Sequence, residues 1–90
     1  MLLFEWDDDK AALNVEKHGV SFETASLVFN DPFCISIYDA EHSSYEDRFI
    51  ALGRVGDVLF VVYTLRESST RIISARLATE KERRLYYGRF

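Results

Sequence analysis

A chain of 90 residues, 48% hydrophobic and with net charge −4 at pH 7, makes one folded domain, residues 1–90, rather than a disordered segment. One cysteine, Cys34, excludes an internal disulfide framework. The two histidines lack zinc-ligand spacing, and no apolar run approaches the ~20 residues of a membrane span.

The opening run, residues 2–6, is apolar and too short for a helix before three aspartates, so it reads as a strand. It is too acidic for a signal peptide, and a reducing cytoplasm is the expected setting. Asp7, Asp8 and Asp9 suit a helix start, where free N–H groups and the dipole attract carboxylates. That helix should run to His18 and stop at Gly19, with Lys17 and His18 at its negative end. Ser21 should cap a second helix whose apolar stripe is Phe22, Ala25, Val28 and Phe29, and Asn30-Asp31-Pro32 should end it.

Residues 33–38 read as the next strand. Residues 39–46 are polar and read as a loop, expected to be the most mobile segment. Three strands follow, at 48–55, 58–66 and 70–77, joined by Gly56-Asp57 and Glu67-Ser68-Ser69. Thr79-Glu80-Lys81-Glu82 is a capping box that opens a last helix to about Tyr87, with Leu85, Tyr86 and Phe90 available for docking. The expected fold is α+β in the order β-α-α-β-β-β-β-α. Two N-terminal helices pack on a mostly antiparallel sheet of four or five strands, and a short helix ends the chain.

Charge is unevenly spread. Residues 1–45 carry a balance of −7 and residues 46–90 one of +3. Such asymmetry points to an anionic partner for the second half, although an ordinary solvated acidic front would give the same numbers. Arg48, Arg66, Arg71 and Arg76 lie in the strand region, and arginine suits phosphate recognition.

Whether these arginines converge depends on register. A two-residue turn at Gly56-Asp57 pairs Val55 with Val58 and Phe49 with Thr64. Pairing Arg66 with Arg71 then sets Thr64 against Ile73. On that register Arg66 and Arg71 share a face, and Arg48 and Arg76 fall on the other. A bulge or a slip of one residue would move a whole set across. Taken singly, each arginine could equally be paired with a nearby carboxylate such as Glu46, Asp47 or Glu67.

His18 fits either a helix-capping role or a proton carrier. His42, between Glu41 and Glu46, reads as solvated, and Cys34 as a small buried hydrophobe. Tyr86 and Tyr87 could stack a base or pack. No nucleophile triad, phosphate loop or metal motif is present in the sequence.

Several stretches together are familiar: Phe4-Glu5-Trp6-Asp7, Asn14-Val15-Glu16-Lys17-His18-Gly19-Val20-Ser21-Phe22, Phe29-Asn30-Asp31-Pro32, Glu46-Asp47-Arg48-Phe49 with Gly53, Arg71-Ile72-Ile73-Ser74-Ala75-Arg76, and Glu82-Arg83 with Tyr86. In these the chain resembles the BrnT family of bacterial type II toxins over nearly its whole length. The resemblance implies a RelE-like fold and a growth-arresting ribonuclease that needs no cofactor. It also implies a BrnA-type ribbon-helix-helix antitoxin, with operator DNA reached only through that antitoxin. A homodimer is allowed. Carried over by motif, the site is Lys17, His18, Arg48, Arg66, Arg71, Arg76 and Tyr86, with Lys17 and Tyr86 binding substrate.

The reaction expected on this reading is metal-independent RNA cleavage, in which a 2′-hydroxyl attacks the adjacent phosphate. The arginines stabilise the phosphorane. They are poor bases, so His18, Lys17, Glu46 or Tyr86 must move the proton, with His18 ranked first. The alternative is a non-catalytic module whose arginine-rich sheet docks an acidic partner segment. A DNA-binding regulator is disfavoured, because no helix-turn-helix signature is present and the helical hairpin is acidic.

Overall fold

The computed structural model describes residues 2–88. A short strand, β1 (Phe4–Glu5), leads into α1 (Asp8–His18). Asp7 caps α1 by accepting from the Lys10 N–H at 3.0 Å, and Gly19 ends it in the left-handed conformation at φ 69°, donating to the Val15 carbonyl. Ser21 accepts from the Thr24 N–H at 3.0 Å and opens α2 (Phe22–Ser26).

The second helix is shorter than its apolar stripe suggests. It tightens into a 3₁₀ turn, Leu27–Asn30, which lies directly over Gly53 of the sheet. A Cβ on Gly53 would come within 2.6 Å of the Val28 Cβ. The stripe itself is buried as expected at Phe22, Ala25 and Val28, and Phe29 packs against them. Asp31 then turns the chain: its carboxylate accepts from the Phe33 N–H and its carbonyl from the Cys34 N–H. The next strand, β2 (Ile35–Tyr38), therefore starts two residues later than the sequence suggests.

The remaining elements are β3 (Arg48–Val55), β4 (Asp57–Leu65), β5 (Thr70–Leu77) and α3 (Glu80–Tyr87). The capping box of α3 is complete, with Thr79 accepting from the Glu82 N–H and Glu82 from the Thr79 N–H. The five strands run in the order β1-β5-β4-β3-β2, antiparallel except for β1 beside β5. The α+β fold agrees with the sequence reading. The expected docking of Phe90 lies outside the described residues.

The sheet is covered on both faces. On one, Phe22, Ala25 and Val28 pack on Ala51, Val61, Ile72 and Ala75. Asn14 of α1 closes this side against β5: its amide donates to the Ala75 carbonyl at 2.7 Å and accepts from the Ala75 N–H at 3.1 Å. On the other face, Tyr86 of α3 packs on Leu52 and Val58, with Ile50 and Phe60 beside them. That helix covers only the end of the face near the β3–β4 turn. The arginines occupy the rest.

Candidate functional site

Two local features set the arginine geometry, and both differ from the expected register. Gly56, at φ 73°, turns the β3–β4 hairpin alone, so Val55 pairs with Asp57 and Arg48 pairs with Thr64. Between β4 and β5 a bulge follows: Val62 pairs with Ser74 but Tyr63 with Ile72, leaving Ile73 as the extra residue. Arg71 then pairs with Thr64, and Arg76 with Phe60.

Side chains alternate along a strand, so residues five apart normally point to opposite faces. The bulge cancels that parity between Arg71 and Arg76. Arg48, Arg71 and Arg76 thus share the face opposite α1 and α2. Arg66, one residue past β4, reaches Glu46 beside Arg48. The expected split, with Arg66 and Arg71 on one face and Arg48 and Arg76 on the other, is corrected: all four gather on one side.

Three of the four are balanced by carboxylates, mostly from distant parts of the chain. Arg66 meets Glu46 at 3.4 Å and Arg71 meets Glu5 at 2.8 Å. Arg76 grips Glu82 with two bonds, at 2.8 and 3.0 Å, and its guanidinium lies 3.8 Å above the Phe60 ring. The Ser69 hydroxyl, then Arg71, holds the Glu5 carboxyl below the ordinary range. Arg76 does the same for Glu82. The Arg48 guanidinium has no ion pair among the described residues.

Arg48 and Arg76 line a cleft of about 290 Å³, floored by Phe60 and Val62 and edged by Ser74, Asp39 and His42. The loop beside it carries secondary structure of its own. It forms a 3₁₀ turn, Ala40–His42, fastened by Ser43: the hydroxyl donates to the Asp39 carbonyl and accepts from the Arg48 N–H. His42 Nδ1 lies 2.9 Å from Asp39 Oδ2. Sequence reading placed His42 in solvent, which its exposed ring bears out, but missed this pair. Its signal was the Asp39-x-x-His42 spacing, which one 3₁₀ turn brings to the same side.

The other predicted site residues are not brought here. Lys17 and His18 stand exposed in the last turn of α1, and no hydrogen bond, ion pair or ring contact joins either to the arginine face among the described residues. Tyr86 is buried, and its hydroxyl donates a hydrogen bond to the Asp31 carboxylate. Burial, and then Asp31, push its phenol up to about 12. Among the described residues no group of three or more His, Cys, Asp or Glu is placed to hold a metal ion, and no helix is long and apolar enough to cross a membrane.

Comparison with known proteins decides the family. Residues 6–82 match the family described as the ribonuclease toxin BrnT of type II toxin-antitoxin systems. The chain belongs to the BrnT family. The crystal structure of the ribonuclease toxin BrnT from Brucella abortus superposes with a TM-score of 0.65 at 20% identity, covering 89% of this chain and 100% of that one. At that identity the likeness is one of fold. No curated protein matches. The matched span of this BrnT chain holds the four arginines, Lys17 and His18, and it ends before Tyr86.

Proposed function

We propose that this BrnT chain arrests growth as a metal-independent endoribonuclease, cutting RNA on the arginine face to leave a cyclic phosphate and a 5′-hydroxyl. The observation that carries the reading is the gathering of Arg48, Arg66, Arg71 and Arg76 on one side of a chain whose net charge is −4. A phosphorane gathers negative charge, and fixed guanidinium groups stabilise it without reorganising. Arg48 and Arg76 serve the scissile phosphate. Arg66 and Arg71 serve the flanking backbone; these two and Arg76 are each tied to a carboxylate that RNA phosphate must displace or share.

The cognate inhibitor in this proposal is a BrnA-type ribbon-helix-helix antitoxin, and the pair represses its own operon through the antitoxin's DNA contacts. The setting is the cytoplasm. Incubating purified chain with RNA in chelator tests the activity. Wild type should give fragments with cyclic-phosphate ends, and Arg48→Ala with Arg76→Ala should give none. Intact RNA together with a tight complex on an acidic partner segment would instead make the face a docking surface.

A further inference from the structure

The loop after β2 presents a histidine to the arginine face, and its surroundings are those of a working imidazole. Asp39 and His42 begin and end one 3₁₀ turn, so their side chains meet at 2.9 Å. The carboxylate is the covered member, with its side chain 14% exposed against 62% for the ring. A carboxylate only accepts, so the neutral ring carries its proton on Nδ1 and offers the Nε2 lone pair. Nε2 has no hydrogen-bond partner among the described residues.

The loop also fixes His42 relative to Arg48. The Asp39 N–H donates to the Arg48 carbonyl at 2.9 Å, and the Ser43 hydroxyl bridges the Asp39 carbonyl and the Arg48 N–H. His42 and Arg48 together divide two clefts. The one of about 290 Å³ holds Phe60, Ser74 and Arg76, and the other, of about 360 Å³, holds Tyr45 and Glu46. A phosphodiester crossing this divide would have a nucleoside on each side.

Resting on the ribonuclease reading, we infer that His42 is the proton-transfer group of the cleavage and Asp39 its positioning residue. His42 Nε2 takes the 2′-hydroxyl proton, and the 2′-oxygen bonds to phosphorus, which is held between Arg48 and Arg76. The bond from phosphorus to the 5′-oxygen breaks, and that oxygen takes a proton from water. The hydroxide so formed recovers the proton from the imidazolium. RNA alone is consumed, giving a 2′,3′-cyclic phosphate and a 5′-hydroxyl.

The rival bases are otherwise placed. Glu46 is engaged with Arg66, and Tyr86 is buried against Asp31. The charged groups around His42 are Asp39, Glu41, Glu46, Arg48 and Arg76.

The test is single-turnover cleavage of an oligoribonucleotide in chelator across about pH 5 to 9, with binding of its uncleavable 2′-deoxy form measured in parallel. His42→Gln should lose about 10²- to 10⁴-fold in rate with affinity unchanged. The pH dependence of the wild-type rate should be lost in the variant. Asp39→Asn should lose rate and not affinity, by a smaller factor. If His42→Gln keeps the wild-type rate and profile while Arg48→Ala is inactive, proton transfer lies elsewhere and the ribonuclease reading stands. If wild type cuts no RNA, both are overturned.

Discussion

Arg48 and Arg71 flank one buried threonine: each is the cross-strand partner of Thr64, one from β3 and one from β5. Neighbouring strands lie about 4.8 Å apart, so the two arginine backbones are about 10 Å from each other. Thr64 does not compete for phosphate, because its hydroxyl donates to the Asp47 carbonyl at 2.6 Å. Arg71 is already paired with Glu5, whereas Arg48 has no ion pair among the described residues. The row therefore offers one free and one partly neutralised cation to a polyanion.

Salt dependence should report that row. For an uncleavable single strand, the slope of log affinity against log salt should fall by about 0.7 for each phosphate-contacting arginine removed. Arg48→Ala and Arg76→Ala should each show it. Arg54→Ala should not, because that side chain turns back to the Gly56 carbonyl near α3. Equal slopes in all three variants would remove Arg48 and Arg76 from the phosphate path.

Gly53→Ala should destabilise the fold by about 1–3 kcal/mol. The new methyl would meet the Val28 Cβ at 2.6 Å and the Val28 carbonyl oxygen at 2.9 Å. One of these neighbours is backbone, which cannot swing aside. A urea midpoint equal to that of wild type would show that the 3₁₀ turn does not lie so close to the sheet.

Asn14→Ala should cost about 3 kcal/mol, read from urea unfolding, since it leaves buried backbone groups unpaired. The Asn14 amide serves the Val20 carbonyl as well as both polar groups of Ala75. Asn14→Asp should be worse, because a carboxylate would face two carbonyl oxygens.

Tyr86→Phe should cost about 1–2 kcal/mol by removing the donor to Asp31, and RNA cleavage should persist. The variant should also change stability at high pH. The Tyr86 phenol is pushed from 10.0 up to about 12, so the folded state holds the proton more tightly than the unfolded chain. That contribution is complete below pH 10 and is lost as pH rises from there toward about 12. Tyr86→Phe should flatten this alkaline loss.

Glu82 gives the opposite window. Arg76 holds its carboxyl below 4.5, so the unfolded chain takes up the proton first as pH falls. The contribution is present above 4.5 and is lost as pH drops through the lower folded value. Glu82→Gln should reduce the acid dependence of the thermal midpoint. The same dependence in variant and wild type would mean that the Arg76 pair is too solvated to matter.

Local chemistry made most of the fold legible. Asp7, Gly19, Ser21 and the Thr79–Glu82 box each act within four residues, and each stands where its chemistry requires. The arginine partners were less legible. Glu46 does pair with Arg66, as its nearness in sequence allowed, but Glu5 and Glu82 reach Arg71 and Arg76 from β1 and α3. Tyr86 looked available because an aromatic on a charged helix does not reveal which way the helix docks. His18, inside a recognisable motif, makes no contact with the arginine face among the described residues.

By itself the sequence determined the element order, the helix ends, the resemblance to BrnT toxins and the four arginines worth following. Only the tertiary structure decided that those arginines share a face. A strand reverses its side chains at every residue, so one glycine turning alone at position 56 and one extra residue, Ile73, reassign every partner across β3, β4 and β5. Neither departure leaves a mark in composition or periodicity, because both are settled by how the strands pack together.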